Sequence, residues 1–167
     1  VSVPDERESF RVNGDRMTPG IAVSNSEVGL ASLSISAFIL RLVCTNGMVS
    51  KTSFSASYRH VSDKLLSNLP GVLNSLRSGV GQQKERFAIS LGTRVDNPEA
   101  TIESFNRQFE LRKEEKEAVD WALREELGFT MFAIVNVYTK SSQYELLSAE
   151  SRFRLQKVGG AILGMMS

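Results

Sequence analysis

Cysteine and histidine occur once each in this chain of 167 residues, as Cys44 and His60. A single thiol excludes an intramolecular disulfide and points to a reducing compartment, here the cytoplasm. One cysteine and one histidine are also too few ligands for a zinc site, and no other cofactor is expected. No apolar run approaches the roughly 18 residues that a membrane-spanning helix needs, so no membrane partner is expected. No basic segment followed by an apolar one marks a signal peptide. The chain starts at Val1 without methionine and is expected to be a piece of a longer protein. No internal repeat or low-complexity tract is present. Gly79-Val80-Gly81 lacks the further glycine of a dinucleotide loop and the Gly-Lys-Ser/Thr ending of a phosphate loop.

What is present is ordinary in amount and uneven in distribution. The length suits one domain with a sizeable core, spanning residues 1–167. The net charge is +1. Residues 61–94 carry five basic and two acidic residues, residues 95–127 five and ten, and residues 128–167 four and two. A basic middle can attract nucleic acid, whereas an acidic segment can bind a protein. Residues 1–60 are rich in Ser, Val, Ile and Phe, and residues 61–167 in Leu, Glu, Lys, Arg and Gln. Strands followed by helices make an α+β fold: an N-terminal antiparallel sheet and a helical C-terminal part.

Phe10–Val12 predicts a short strand, ended by the turn-like Asn13-Gly14-Asp15. Thr18-Pro19-Gly20 reads as another turn, Ile21–Ser24 as a strand, and 25–29 as a bend. Leu30–Cys44 and Val49–His60 predict a long β-hairpin turning at Asn46-Gly47, the pair favoured where both central residues need positive φ. In that register Ile39 faces Phe54, Ile35 faces Tyr58, Leu33 faces His60 and Ser34 faces Arg59. One pleat face is then apolar and the other serine-rich towards the open end. Cys44 and His60 fall on opposite faces and at opposite ends, which excludes a nucleophilic dyad within the hairpin.

Helices are expected from Ser62 onwards. Leu65, Leu69, Val72, Leu73, Leu76, Val80 and Phe87 repeat at helical period, with Pro70 breaking or kinking the run. Asn97-Pro98 is a helix start, with Ile102, Phe105 and Phe109 as the stripe. Glu114–Leu127 continues as helix and stops at Gly128. Phe129–Thr139 is ambiguous between strand and helix. Ser148 caps a last helix whose stripe is Leu155, Val158, Ile162 and Leu163.

Candidate binding residues follow from this arrangement. Arg41 lies on the face of Ile35, Ala37 and Ile39, opposite Thr52. A guanidinium there must reach solvent, a carboxylate or an anion. Lys51, Arg59, His60 and Lys64 continue the positive charge, with Arg77, Lys84 and Arg86 beyond. A groove lined in this way suits a nucleic-acid backbone, and Tyr58 and Phe54 could stack on bases. The carboxylates around Glu110–Glu117 alternate with Arg112, Lys113 and Lys116 at spacings that pair along a helix, so no catalytic residue stands out.

The segments Asn25-Ser26-Glu27-Val28-Gly29, Arg41-Leu42-Val43-Cys44-Thr45-Asn46-Gly47-Met48 and Arg59-His60 resemble a phage/plasmid-like family of unknown function. Phe132–Thr139, with Asn136 and Thr139, and Leu155–Leu163 look like that family's helical part. The resemblance implies a phage, plasmid or prophage origin, hence a bacterial or phage-infected cell. It also tips Phe129–Thr139 towards helix. The order of hairpin and long helix is similar in outline to single-strand annealing proteins of the Rad52 type. The expected function is therefore nucleic-acid binding, in the form of single-stranded-DNA binding or annealing in recombination by a homo-oligomer. The alternatives are an interaction module that binds a host or phage protein through its acidic helix at Glu110–Glu126, and an enzyme whose carboxylates converge only in the fold.

Overall fold

The computed structural model describes residues 2–25, 33–41, 46–48, 56–58, 63–126 and 128–167. Among the described residues six strands and five α-helices follow one another: β1 (Ser2–Pro4), β2 (Phe10–Val12), β3 (Asp15–Asn25), β4 (Leu33–Arg41), β5 (Asn46–Met48), β6 (Ala56–Tyr58), α1 (Asp63–Gly92), α2 (Pro98–Gln108), α3 (Lys113–Glu125), α4 (Met131–Ser141) and α5 (Ala149–Gly164). The fold is α+β, with an antiparallel sheet first and helices after it, as the composition shift predicts.

β3 and β4 form the centre of the sheet. β1 and β2 pair with successive parts of β3, and β5 and β6 with successive parts of β4. Phe10 faces Met17 and Val12 faces Asp15 across a tight turn at Asn13 and Gly14, whose φ values are +50° and +85°. Two consecutive positive φ values are the requirement that selects Asn-Gly in a two-residue hairpin.

The other Asn-Gly pair behaves differently. Asn46 and Gly47 are strand residues facing Arg41 and Leu40, so the chain has already reversed before Asn46. The predicted turn at Asn46-Gly47 is thus displaced. Ile39 faces Met48 instead of Phe54, Ile35 faces Ala56 instead of Tyr58, Leu33 faces Tyr58 instead of His60, and Ser34 faces Ser57 instead of Arg59. Facing numbers sum to 87 at β5 and 91 at β6, against the predicted 93. Both shifts are even, so each residue keeps its predicted pleat face although its partner changes. The second arm has four more residues than β4 between the two pairings. The rest of the predicted hairpin, residues 30–32, 42–45, 49–55, 59 and 60, lies outside the described residues, as does the bend at 26–29.

Thr18-Pro19-Gly20, read as a turn, is instead continuous strand within β3. The Pro19 carbonyl accepts from the Asp5 amide at 2.7 Å. Along a strand the nitrogen and carbonyl of one residue point to the same side, so the proline nitrogen is turned away from β4. It faces the interruption between β1 and β2, where Glu6–Glu8 form a short 3-10 turn and no ladder donor is required.

α1 continues through Pro70 for 30 residues, so the proline does not end the helix. The residue expected to cap it, Ser62, lies outside the described residues. α2 starts as predicted: Asn97 accepts from the Ala100 amide at 3.0 Å and Pro98 fills the first turn. α2 closes on Glu110, whose φ is +50°. The Glu110 amide donates to the Arg107 carbonyl at 3.1 Å and the Leu111 amide to the Asn106 carbonyl at 2.9 Å, the Schellman pattern. α3 follows, and Leu127, its predicted end, lies outside the described residues. Phe129–Thr139 resolves to helix: Thr130 caps α4 and accepts from Ala133 at 3.3 Å. Ser148 caps α5 as predicted, accepting from Ser151 at 3.1 Å.

α4 is the centre of the helical part, packed by α1, α3, α5 and β5. Nine of its eleven residues are buried, which explains why neither a strand nor a helix period was legible in it. Its contact with α5 is very close. A Cβ added to Gly159 would sit 2.7 Å from Thr139 Cγ2, so glycine is what allows the approach. The predicted stripe Leu155, Val158, Ile162 and Leu163 is buried here. Phe87 joins the layers, with ring centroids 6.0 Å from Phe10 in the sheet and 6.1 Å from Phe132 in α4.

Candidate nucleic-acid interface

Of the eight expected contacts, Lys51, Arg59 and His60 lie outside the described residues, as does Phe54. Arg41, Lys64 and Arg77 are described by backbone alone. Position 41 faces Met17 and Asn46, not Thr52, because of the shifted register. It shares a pleat face with buried Ile39 and Met17, so the expectation of an arginine position on the apolar face stands.

α1 distributes its four cations over two sides. At about 100° per residue, positions 77 and 84 fall about 20° apart on the helix circumference, while positions 64 and 86 lie about 200° from position 84. Positions 64 and 84 are separated by about 30 Å along the axis. They cannot line one compact pocket, and only an extended ligand could touch both. Lys84 is exposed, with its Nζ 5.3 Å from the centroid of the half-buried Phe10 ring. Arg86 is half-buried.

The β2–β3 hairpin carries two further cations, on the sheet face turned away from α1. Phe10, Val12 and Met17 turn towards the core, so their neighbours Arg11 and Arg16 take the other face, directly opposite each other and exposed. Arg11 donates to the Gly14 carbonyl at 3.0 Å, and Arg16 pairs with Glu6. The signal for this pair was in the sequence: alternation about the Asn13-Gly14 turn places 11 and 16 together.

The charge division seen along the sequence falls on different helices. α1 carries four basic and two acidic residues, and the span 98–125 five basic and eight acidic. Buried α4 packs against α1 and also against α3.

Carboxylates do not converge on a cleft among the described residues. Glu115 is fully buried, and its Oε2 accepts from the Arg112 amide at 2.8 Å and from Arg154 Nη1 at 2.9 Å. Arg154 Nη2 also donates to the carbonyls of Phe109 and Glu110 at 2.8 and 3.0 Å. Arg112 Nη2 meets Glu150 at 2.9 Å, and this carboxylate raises the Arg112 pKa. These bonds tie the α2–α3 corner to α5, a structural use of acid and base. Tyr138 is likewise structural: its hydroxyl lies 3.1 Å from the Ile102 carbonyl and 2.8 Å from Asn106 Oδ1. Burial pushes its phenol well above the usual tyrosine range. Among the described residues no group of three or more His, Cys, Asp or Glu side chains is placed to hold a metal. No described helix is long and apolar enough to cross a membrane.

Comparison of the chain with family models, with curated proteins and with solved structures finds no match.

Proposed function

We propose that this protein binds single-stranded nucleic acid along α1 and the adjoining edge of the sheet, in the manner of a phage or plasmid annealing protein that acts as an oligomer. The observation that carries the reading is the excess of basic over acidic residues on α1, with Lys84 exposed over Phe10 where helix and sheet meet. Positions 77 and 84, on one side of α1 and about 10 Å apart along its axis, suit a tracked phosphate backbone better than a small anion. The order of an antiparallel sheet and a long helix remains similar in outline to Rad52-type annealing proteins. The phage/plasmid-like family resemblance supports the same reading.

The test is fluorescence polarisation with a labelled single strand and a duplex of equal length at two salt concentrations. Binding should favour the single strand and weaken steeply with salt. Arg77→Gln with Lys84→Gln, which share one side of α1, should weaken binding alike for all sequences and reduce the salt slope by about 0.7 for each lost contact. Unaltered affinity in that variant would remove α1 from the interface. Absence of binding by the natural chain at low salt would favour the second reading, a protein partner at the acidic helices. That reading draws on Glu117 and Asp120, exposed and without an ion pair among the described residues, beside the half-buried Trp121–Tyr144 pair with centroids 5.7 Å apart.

A further inference from the structure

Two carboxamides are buried on facing partners of the core, Gln83 on α1 and Asn136 on α4, helices that pack against each other. Gln83 is 3% and Asn136 5% exposed, and neither side chain makes a hydrogen bond among the described residues. Each amide offers two donors and an acceptor. Leaving such groups dry and unpaired lowers a folding equilibrium constant by roughly ten- to a hundredfold. They are also not sealed in the way that Glu115 Oε1 and Ser151 Oγ are, so their polar atoms still touch a little open space.

Helix periodicity sets each of them one turn from the Phe87–Phe132 contact. The Met131 amide at the start of α4 donates to the Thr93 carbonyl just beyond the end of α1, at 2.9 Å. Phe87 and Phe132 pack at 6.1 Å next to that junction. Two helices that leave such a junction side by side run in opposite directions. One turn back from Phe87 is Gln83, and one turn forward from Phe132 is Asn136.

We propose that Gln83 and Asn136 are the two walls of one polar site between α1 and α4, which takes a guest offering a hydrogen-bond donor and an acceptor side by side. Two sources carry that chemistry. One is an ordered water, which normally satisfies buried polar groups of this kind. The other is the edge of a nucleobase, which Asn and Gln side chains match with paired bonds. The base as source rests on the nucleic-acid reading above, with Lys84 and Phe10 at the adjoining surface; the site itself does not rest on it.

The experiment is a crystal structure of the full chain, fine enough to resolve ordered water, with and without a short single-stranded oligonucleotide. A water or a base bonded to both amides establishes the site and names its guest. Amides bonded directly to each other, or with nothing between them, overturn it. In solution, Gln83→Leu and Asn136→Leu should each lower the folding constant roughly tenfold, and the double variant by less than the product, because both act on one guest. Gln83→Met, closer in volume, serves if a leucine variant fails to fold. Strictly multiplicative losses overturn a shared site. A chain without oligonucleotide affinity that still holds the bridging water would defeat the nucleic-acid reading and leave this site standing.

Discussion

Replacing Gly159 by alanine tests the close contact of α4 with α5. The new Cβ would lie 2.7 Å from Thr139 Cγ2, 3.5 Å from the Val135 carbonyl and 3.6 Å from the Thr139 nitrogen. Only the first distance is a clash. Thr139 cannot simply swing aside, because its hydroxyl donates to the Asn136 carbonyl at 3.1 Å. Overpacking of this kind costs about 1–3 kcal/mol. Against it stands the gain of alanine over glycine inside a helix, about 1 kcal/mol. The net expectation for Gly159→Ala is a destabilisation of about 1 kcal/mol, or about 2–4 °C in Tm for a chain of this size. Thr139→Ser removes the clashing methyl and keeps the hydroxyl. In that background Gly159→Ala should stabilise by about 0.5–1 kcal/mol, since only the propensity gain remains. The assay is urea unfolding of the four members of the cycle, followed by circular dichroism. If Gly159→Ala stabilises the otherwise natural chain, α4 and α5 do not approach as closely as described and the reasoning fails.

Arg154→Met should destabilise by about 3 kcal/mol in the same assay, because it strands the fully buried Glu115; the low end of the range applies since the arginine side chain is 32% exposed. Equal stability would mean that the α2–α3 corner does not depend on its clasp to α5. Glu110→Gly should stabilise by about 1 kcal/mol, relieving a side chain held at φ +50° after α2; a loss would show that this carboxylate has a use of its own. Tyr138, kept neutral by burial, should stay un-ionised at pH values where the unfolded chain loses that proton. Above about pH 10 the unfolded state therefore binds fewer protons than the folded one, and stability falls by about 1.4 kcal/mol per pH unit for this group. Absorbance titration of the tyrosines should show its ionisation coinciding with unfolding, and Tyr138→Phe should abolish that share of the alkaline loss.

Much of the helical half was legible because its signals are local. Asn97-Pro98 and Ser148 mark helix starts through side chains that reach amides three residues on, and no distant partner is needed. The α5 stripe was legible for a similar reason, since its period is a property of one helix. α4 carried no period because neighbours bury it on nearly every side. Pro70 does not break α1, because a missing hydrogen bond is a local cost that the rest of a 30-residue helix can absorb.

The candidate site was less legible. Positions 64, 77, 84 and 86 follow one another in sequence, yet helix geometry parts them onto two sides of α1. Arg11 and Arg16 are five positions apart and meet only because the hairpin folds at Asn13-Gly14. Gln83 and Asn136 come from helices separated by α2 and α3, and no pattern within either helix announces the other.

The sequence by itself determined the order of strands and helices, the caps of α2 and α5, and the pleat face of the described residues of the central hairpin, since these depend on neighbours a few positions away. Only the tertiary structure decided which of two Asn-Gly pairs turns the chain and which is drawn into a strand. The same local preference acts at both, and the pairing of β4 with β3, β5 and β6 selects between them. Which polar groups end up buried against one another was settled in the same way, because burial is a property of the packed layers and not of any one segment.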